Sequence, residues 1–506
     1  MDNTKFFAIF ALILLAGFYI RFYDLTNRPI HHDEGVIGWF KLNIVTGCFS
    51  SSVLSNPLEW AKSCGASYGY DPDYHGPFEY LFGAWMFKLF GDSDFTLRAP
   101  ECLFGFATIA LLLPLRKKLG DVGILVAAAL LATSPSMAYF AQRAYMDNFF
   151  IFFTLGAVVC AVKFWDEGKR LWLYLGAADL ALLFTTKETA FIFVFIAMAF
   201  AVIEYFYSLR KKSGLVSSTK EGVEEAWKFC VRNKSALLAA ALIFAAIYSF
   251  VYSTMFTDPG EVWNGVTKGL TFWLQRSTTW EGHFKPFGYY YGLLADYEPA
   301  VLFLAAAGVF FGMRNSFARW CALWAFATWL IFSLIPYKTP WLDPHFIIPM
   351  AMVAGIGVDE VVKKLKGGQR YLPALVVIPL LVLSWTMAWD ITYVKYAGSD
   401  IQLVYVSGTD GYTELVDRIE NESLRFDGVD TAIAVVSTDY WPLPWSLRKY
   451  KHAAWYGKST PELDTPFVIS SRTDFSEIKP GLREQYSGPV QYEIRQGVYV
   501  WLYERR

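Results

Sequence analysis

The chain has 506 residues, of which 55% are hydrophobic, 18% aromatic and 18% charged, and its formal net charge is −1. A soluble protein of this size carries about a quarter charged residues; here the charges gather in short strips between long apolar runs, as in a polytopic α-helical membrane protein. The near-neutral balance gives no support to nucleic acid as a partner, and six cysteines without a CxxC pair argue against a zinc or iron–sulfur centre.

The first apolar run, 5–22, is long for a signal peptide and has no AxA-like cleavage site, so it reads as a retained helix. Further spans are predicted at 97–115, 120–135, 146–164, 171–186, 188–207, 235–255, 298–313, 318–336, 345–362 and 371–390, about 11 transmembrane helices in all. With the N-terminus cytoplasmic, five basic strips fall inside: Arg116-Lys117-Lys118, Lys169-Arg170, Arg210-Lys211-Lys212, Arg314 with Arg319, and Lys363-Lys364 with Lys366. The segment 76–90 is short and includes Glu79 and Lys88; counting it as a crossing would put the first strip outside, so it reads as a helix on the outer surface. This topology leaves outer loops at 23–96 and 256–297, a charged cytoplasmic loop at 208–234 expected to hold a surface helix, and an outer tail from 391. The tail reads as a small α/β extracytoplasmic domain, with strands at 431–437, 467–470, 490–494 and 498–503. A helix is expected over 412–421, capped by Thr409 or Asp410. Three modules follow: 1–210, 211–390 and 391–506.

The ionisable residues near membrane depth collect on the outer side: His31, His32, Asp33, Glu34, His75, Arg98, Arg143, Asp147, Lys187, Glu188, His283, Lys285, Lys338 and His345. Charge at that depth costs about 3 kcal/mol or more and tends to mark a site. A single outer Lys or Arg is more often a snorkelling anchor, but this set mixes acids, bases and imidazoles on one side. The run His31-His32-Asp33-Glu34-Gly35 is the sharpest feature. A transferase with a hydroxyl acceptor needs a carboxylate to take the proton and a cation or donor to hold a departing phosphate. Asp33 and Glu34 suit the first role, and His75, Arg98, Lys187 and Lys338 the second. The same acids equally read as the N-terminal turn of a surface helix. Adjacent histidines also raise a divalent metal ion, with His32, Asp33 and Asp147 as candidate ligands, though no HExxH spacing is present.

Cys48 and Cys64 share the first outer loop, where an oxidising exterior favours a bridge. Asn421-Glu422-Ser423 is a glycosylation sequon. Trp263, Trp273, Trp280 and Tyr289 to Tyr291 suit interface anchoring or sugar stacking. Trp441-Pro442-Leu443-Pro444-Trp445 suits contact with the membrane surface or a saccharide.

An Asp-Glu pair just after the first membrane helix resembles the hallmark of GT-C glycosyltransferases, among them protein O-mannosyltransferases and the aminoarabinose transferases that modify lipid A. Tyr74-His75-Gly76-Pro77-Phe78, the approach from Phe90 to Arg98, Arg143-Ala144-Tyr145-Met146-Asp147 and Thr186-Lys187-Glu188 resemble that group's later motifs in order. His31-His32-Asp33-Glu34-Gly35, Tyr70-Asp71-Pro72-Asp73-Tyr74-His75-Gly76-Pro77-Phe78 and Tyr337-Lys338-Thr339-Pro340-Trp341 resemble the archaeal and bacterial flippase-activity-associated subgroup of the N-glycosylation pathway. The resemblance implies a polyprenyl (dolichyl) phosphate sugar donor, a plasma-membrane location and transfer to an acceptor glycan, protein or lipid on the outer face. Asp33 would be the base of an inverting reaction, Glu34 would orient the site, and Asp147 would position acceptor or metal. His75, Arg98, Lys187 and Lys338 would meet the lipid phosphate; His31, His32, Arg143, Glu188, His283 and His345 would be accessory. The double histidine departs from the mannosyltransferase pattern, and the tail from those enzymes' repeat domains. Two readings without chemistry compete. In one, the protein binds the lipid-linked sugar as a flippase component, which predicts a polar path inward through Asp179 and Glu204. In the other, it is an assembly protein that presents its tail.

Overall fold

The computed structural model describes residues 2–210, 224, 227–276, 283–458, 464–471 and 485–506. The chain divides into two compact units, Met1–Leu25 with Asn43–Thr392, and Thr26–Leu42 with Tyr393–Arg506.

The first unit is helical. Among the described residues, seven of its helices are long and apolar enough to cross a membrane, or nine if each of two bent pairs is one span. The bent pairs are Asp121–Thr133 with Pro135–Ala141, at 56°, and Tyr289–Tyr297 with Pro299–Gly312, at 104°. The helices Arg170–Thr186 and Ala190–Arg210 occupy the predicted spans at 171–186 and 188–207. Helix starts follow local chemistry. Asp94–Ala110 begins with a reciprocal capping box between Ser93 and Thr96, and Pro135, Pro299 and Pro344 each stand at the first turn, where the missing N–H costs nothing. Arg21 is fully buried and donates to the Leu131 and Ala132 carbonyls at the C-terminal end of Asp121–Thr133, favourable for a cation. The segment 76–90, predicted as a helix on the outer surface, forms the helix Phe78–Phe90.

Two of the long spans fix which groups lie at which end. Asp147–Glu167 carries Asp147 at its start, bonded to Lys187 and His345, and Asp166 near its end, paired with Lys118 at 2.7 Å. Pro344–Lys364 carries His345 at its start and Lys363 near its end, where Lys363 pairs with Asp359. A 21-residue helix is about 30 Å long. The buried ionisable cluster and the basic strips therefore occupy opposite ends of the same helices.

The predicted loop at 23–96 contains substantial helix, including His32–Phe49, Ser51–Leu54 and Pro57–Ser67, and Cys48 and Cys64 are joined by a disulfide. The sequence pattern of His32–Phe49 has almost no amphipathic bias, so periodicity gave no signal there. The 256–297 loop contains Glu261–Arg276 and Tyr289–Tyr297. Lys211, Lys212, Trp280 and most of the surface helix expected at 208–234 lie outside the described residues.

In the second unit a mixed five-stranded sheet has the order β2-β1-β3-β5-β4, with β1 Ile433–Val436, β2 Ala453–Trp455, β3 Phe467–Ser470, β4 Tyr486–Arg495 and β5 Val498–Arg505. β1 pairs parallel with β2 and β3, while β5 pairs antiparallel with β3 and β4. The four predicted strands are present; β2 was not anticipated, since three residues are too few to show alternation. The tail helix runs Asp410–Ser423, and Thr409 takes the cap position without capping, because its hydroxyl donates instead to the Glu493 carbonyl. The sequon lies in this helix with Ser423 buried against Tyr450.

The segment Trp441–Trp445 meets neither membrane nor saccharide through Trp445, which is fully buried. A Cβ on Gly35 would fall 2.4 Å from Pro442, and one on Gly38 2.4 Å from Trp445. The two glycines thus let the helix that carries Asp33 and Glu34 lie directly on the tail motif.

Candidate active site

In the second unit, the run His31 to Gly35 forms the start of the helix His32–Phe49. Glu34 is fully buried and its Oε2 accepts the His31 backbone N–H at 2.9 Å, so it closes the helix start. His31 is also buried. Its Nδ1 accepts the Asp33 backbone N–H at 3.0 Å while Nε2 bonds the Tyr405 carbonyl at 2.8 Å, a pattern that fits the neutral Nε2–H tautomer. The Asp33 side chain retains 37% exposure, with Oδ2 3.9 Å from His31 Nδ1. Glu34 thus acts at the helix start, as the helix-end reading of this acid pair expects, and the Asp33 side chain stays partly exposed beside it.

In the first unit, Asp147, Lys187 and His345 meet. All three are at least 95% buried. Lys187 Nζ donates to both Asp147 carboxylate oxygens, at 2.8 and 3.0 Å, and His345 Nε2 lies 2.6 Å from Oδ1. Phe150 and Phe332 pack their rings beside the imidazole. A buried carboxylate persists when paired and hydrogen-bonded in this way. Its partners stand 40 and 198 positions away in sequence, so their pairing is a product of the fold.

The residue after Lys187 makes a second node. Glu188 is buried; its Oε1 lies 2.8 Å from His75 Nδ1 and accepts the Trp273 indole N–H at 3.0 Å. Burial opposes ionisation of Glu188, but the His75 imidazole and Lys187 outweigh it and hold the carboxyl below the usual glutamate value. His75 adopts a positive φ of 66°, unusual outside glycine. The next residue explains its placement: Gly76 N–H bonds the Thr186 carbonyl at 3.0 Å, and a Cβ there would come within 2.1 Å of the Thr185 oxygen. The Tyr74-His75-Gly76-Pro77-Phe78 motif is thus clasped against the turn that bears Lys187 and Glu188. His75 keeps 21% side-chain exposure, with Nδ1 turned to Glu188.

The other predicted residues are placed as follows. Arg98 is fully buried and donates to the Leu25 carbonyl at 2.9 Å. Arg143, also fully buried, lies over the Tyr139 ring and donates to its hydroxyl. Lys338 donates to the Lys285 carbonyl at 3.1 Å, and its backbone N–H meets the His283 carbonyl in a short antiparallel bridge that aligns 283–285 with 336–338. Burial lowers the Lys338 pKa. Asp179 packs on Gly156, and Glu204 is paired with Arg319. Among the described residues no group of three or more His, Cys, Asp or Glu side chains is arranged to hold a metal ion. Trp273, read from sequence as suited to interface anchoring or sugar stacking, joins the Glu188 node. Glu298 and Asp343 are buried acids that sequence reasoning passed over, although each stands immediately before a proline, where a helix restarts.

Residues 74–218, which contain His75, Arg98, Arg143, Asp147, Lys187 and Glu188, match the family dolichyl-phosphate-mannose-protein mannosyltransferase. Nearly the whole chain is similar in structure to ArnT from Cupriavidus metallidurans in the apo state, with TM-score 0.65, 13% identity, and coverage of 99% of this chain and 98% of that chain. Against ArnT from the same organism bound to undecaprenyl phosphate, the TM-score is 0.64 at 14% identity, with the same coverage of both chains. No curated protein matches the sequence. The fold is ArnT-like: a multi-pass helical membrane part and a small C-terminal sheet domain.

Proposed function

We propose that the chain is a membrane glycosyltransferase that takes a sugar from a polyprenyl-phosphate donor and moves it to an acceptor on the outer face of the plasma membrane. The observation that carries this reading is the Asp147–Lys187–His345 cluster beside the His75–Glu188 pair, built almost entirely from the segment that matches the mannosyltransferase family. The similarity to ArnT, which was solved with undecaprenyl phosphate bound, favours a polyprenyl phosphate as the carrier.

In this reading Asp33 removes the proton from the acceptor hydroxyl. The freed oxygen attacks the anomeric carbon, the bond from that carbon to the phosphate oxygen breaks, and polyprenyl phosphate departs with inversion. His75 is the phosphate contact, with its ring fixed by Glu188. An ammonium has three N–H donors, so Lys187 can hold Asp147 with two and offer the third to the phosphate. Asp147, kept ionised and immobile by Lys187 and His345, orients the acceptor. Lys338 belongs at the donor's edge, whereas Arg98, engaged with the Leu25 carbonyl, anchors the first helix. The N-terminus is cytoplasmic and the tail domain extracytoplasmic.

The test is transfer from a panel of radiolabelled polyprenyl-phosphate sugars to membrane acceptors by purified protein in lipid. Wild type should transfer at least one sugar, and Asp33→Asn should lose about 10²–10⁴-fold in rate while still binding the donor. Binding without transfer across the panel, unchanged by Asp33→Asn, would instead establish a carrier-handling protein.

A further inference from the structure

The tail sheet gathers polar and aromatic groups that the proposed reaction has not used. β1, β2 and β3 run parallel, and β4 runs the same way because both it and β3 are antiparallel to β5. The carboxyl ends of β1, β2 and β4 therefore open on one edge, the edge at which α/β sheets bind ligands. The loop after β1 carries Asp439, Tyr440 and Trp441, β2 ends at Trp455, and β4 ends at Arg495. The Tyr440 ring lies with its centroid 5.7 Å from that of Trp441 and 5.0 Å from that of Trp455, and all three residues are partly exposed. Arg495 reaches the same loop. Its Nη2 stands 3.9 Å from Asp439 Oδ1, too far for a hydrogen bond; the Arg495 side chain is 11% exposed and that of Asp439 63%. Arg495 Nε is buried with no hydrogen-bond partner among the described residues. Burial lowers the Arg495 pKa, against the attraction of Asp439 and then of Asp33, so the guanidinium also feels the candidate base. The backbone explains that proximity. Arg495 bridges Gly408, a Cβ on Gly408 would fall 2.4 Å from the Ile30 oxygen, and the run from His31 to Gly35 begins at the next residue. From the other side, Gly35 lies on Pro442, directly after Trp441.

We propose that this edge of the tail domain binds the acceptor and that the acceptor is a neutral saccharide, with Asp439 and Arg495 on neighbouring ring hydroxyls and the Tyr440–Trp441 pair against the C–H face. Asp33 keeps the role it has in the transferase reading, on which this assignment of the acceptor rests. A hydroxyl both donates and accepts, whereas a carboxylate only accepts and a guanidinium only donates. Set side by side, the two side chains match two adjacent hydroxyls of one ring. A mostly buried guanidinium with an unpaired N–H gains acceptors when such a ring arrives. Charge selects a neutral ligand: Arg495 already faces two carboxylates, so an anionic group would be repelled by both. Partly exposed aromatic rings beside these groups suit a molecule with an apolar face and a polar rim. Held there, the saccharide would present a further hydroxyl toward Asp33.

The experiment reads binding without requiring transfer. Full-length protein in lipid nanodiscs is titrated with the methyl glycosides of glucose, galactose, mannose, N-acetylglucosamine and glucuronic acid, followed by saturation-transfer NMR against empty nanodiscs. At least one neutral glycoside should give a saturable signal, strongest on its ring C–H protons, and the glucuronide should bind more weakly than the glucoside. Arg495→Gln, Asp439→Asn and Trp441→Ala should each weaken binding about tenfold, whereas Tyr499→Ala, which removes an exposed ring elsewhere in the sheet, should leave it unchanged. Should Arg495→Gln fail to fold, Asp439→Asn still decides, because that side chain is mostly exposed. No saturable signal from any neutral glycoside, binding unchanged in Asp439→Asn and Trp441→Ala, or tightest binding of the glucuronide would overturn the site. Transfer by wild type without such binding would remove this site alone. Binding that follows the variants in a protein that transfers nothing would remove the transferase reading and leave a saccharide site.

Discussion

At the scale of single residues, the first-unit cluster consists of charges that are safe in the interior only while paired. Removing one member of a buried ion pair costs about 3–5 kcal/mol, because the partner is left uncompensated. Lys187→Met should therefore destabilise the protein by that order and abolish transfer, whereas the Asp147→Asn/Lys187→Met double variant should recover much of the stability and none of the activity; denaturation and rate assays on the three proteins measure both. If Lys187→Met melts like wild type, the pair is not the structural unit its geometry indicates. Glu188 gives a pH signature. Its folded pKa lies below the ordinary 4.5, so its contribution is complete above that value and is lost as pH falls through the folded pKa. The stability difference between wild type and Glu188→Gln should then hold at neutral pH and shrink on acidification below about 4.5, as read from melting temperatures across a pH series. The members of these nodes were legible in sequence because ionisable residues at membrane depth are rare. Their pairing was not, since no local pattern connects Asp147 to a histidine 198 positions on.

At the scale of elements, legibility followed the strength of the hydrophobic signal. Long apolar runs announced the spans, and alternating β-branched and aromatic residues announced four strands, but His32–Phe49 mixes apolar, polar and glycine positions and was hidden inside a predicted loop. The helix is held by the tail, through Gly35 on Pro442 and Gly38 on Trp445. A methyl group on Gly38 overpacks this contact, at a typical cost of about 1–3 kcal/mol, and tilts the turn that presents Asp33. Gly38→Ala should lower both stability and transfer rate, and Gly38→Ala with Trp445→Phe should restore part of each. A double-mutant cycle with no coupling between the two positions would show that the contact does not position Asp33. The Cys48–Cys64 disulfide acts on the following stretch. It closes a loop of sequence separation 16, for which the chain-entropy estimate is about 3 kcal/mol, so Cys48→Ser or reduction should lower the denaturation midpoint accordingly while leaving the apolar spans assembled.

At the scale of the whole molecule, the decisive feature is the separation of the buried ionisable cluster from the basic strips by the length of a span. In the proposed orientation, with the strips inside by loop charge bias, the cluster would face out, where a lipid-linked sugar would be met. The chain carries its own reporter of this arrangement. Cys102, Cys160 and Cys321 are buried and Cys48 is bonded to Cys64, whereas Cys230 is exposed, just before the span that begins at Lys234 and on the side assigned to the cytoplasm. A membrane-impermeant maleimide applied to intact cells should leave the wild-type chain unlabelled and react with Cys230 only after the membrane is opened. A second thiol introduced at exposed Ser487 in the tail sheet, as Ser487→Cys, should react in intact cells. The reverse pattern would turn the molecule over, put Asp147 and Lys187 in the cytoplasm, and require a sugar donor taken from the inner face, because no rearrangement of side chains moves a cluster through about 30 Å of helix.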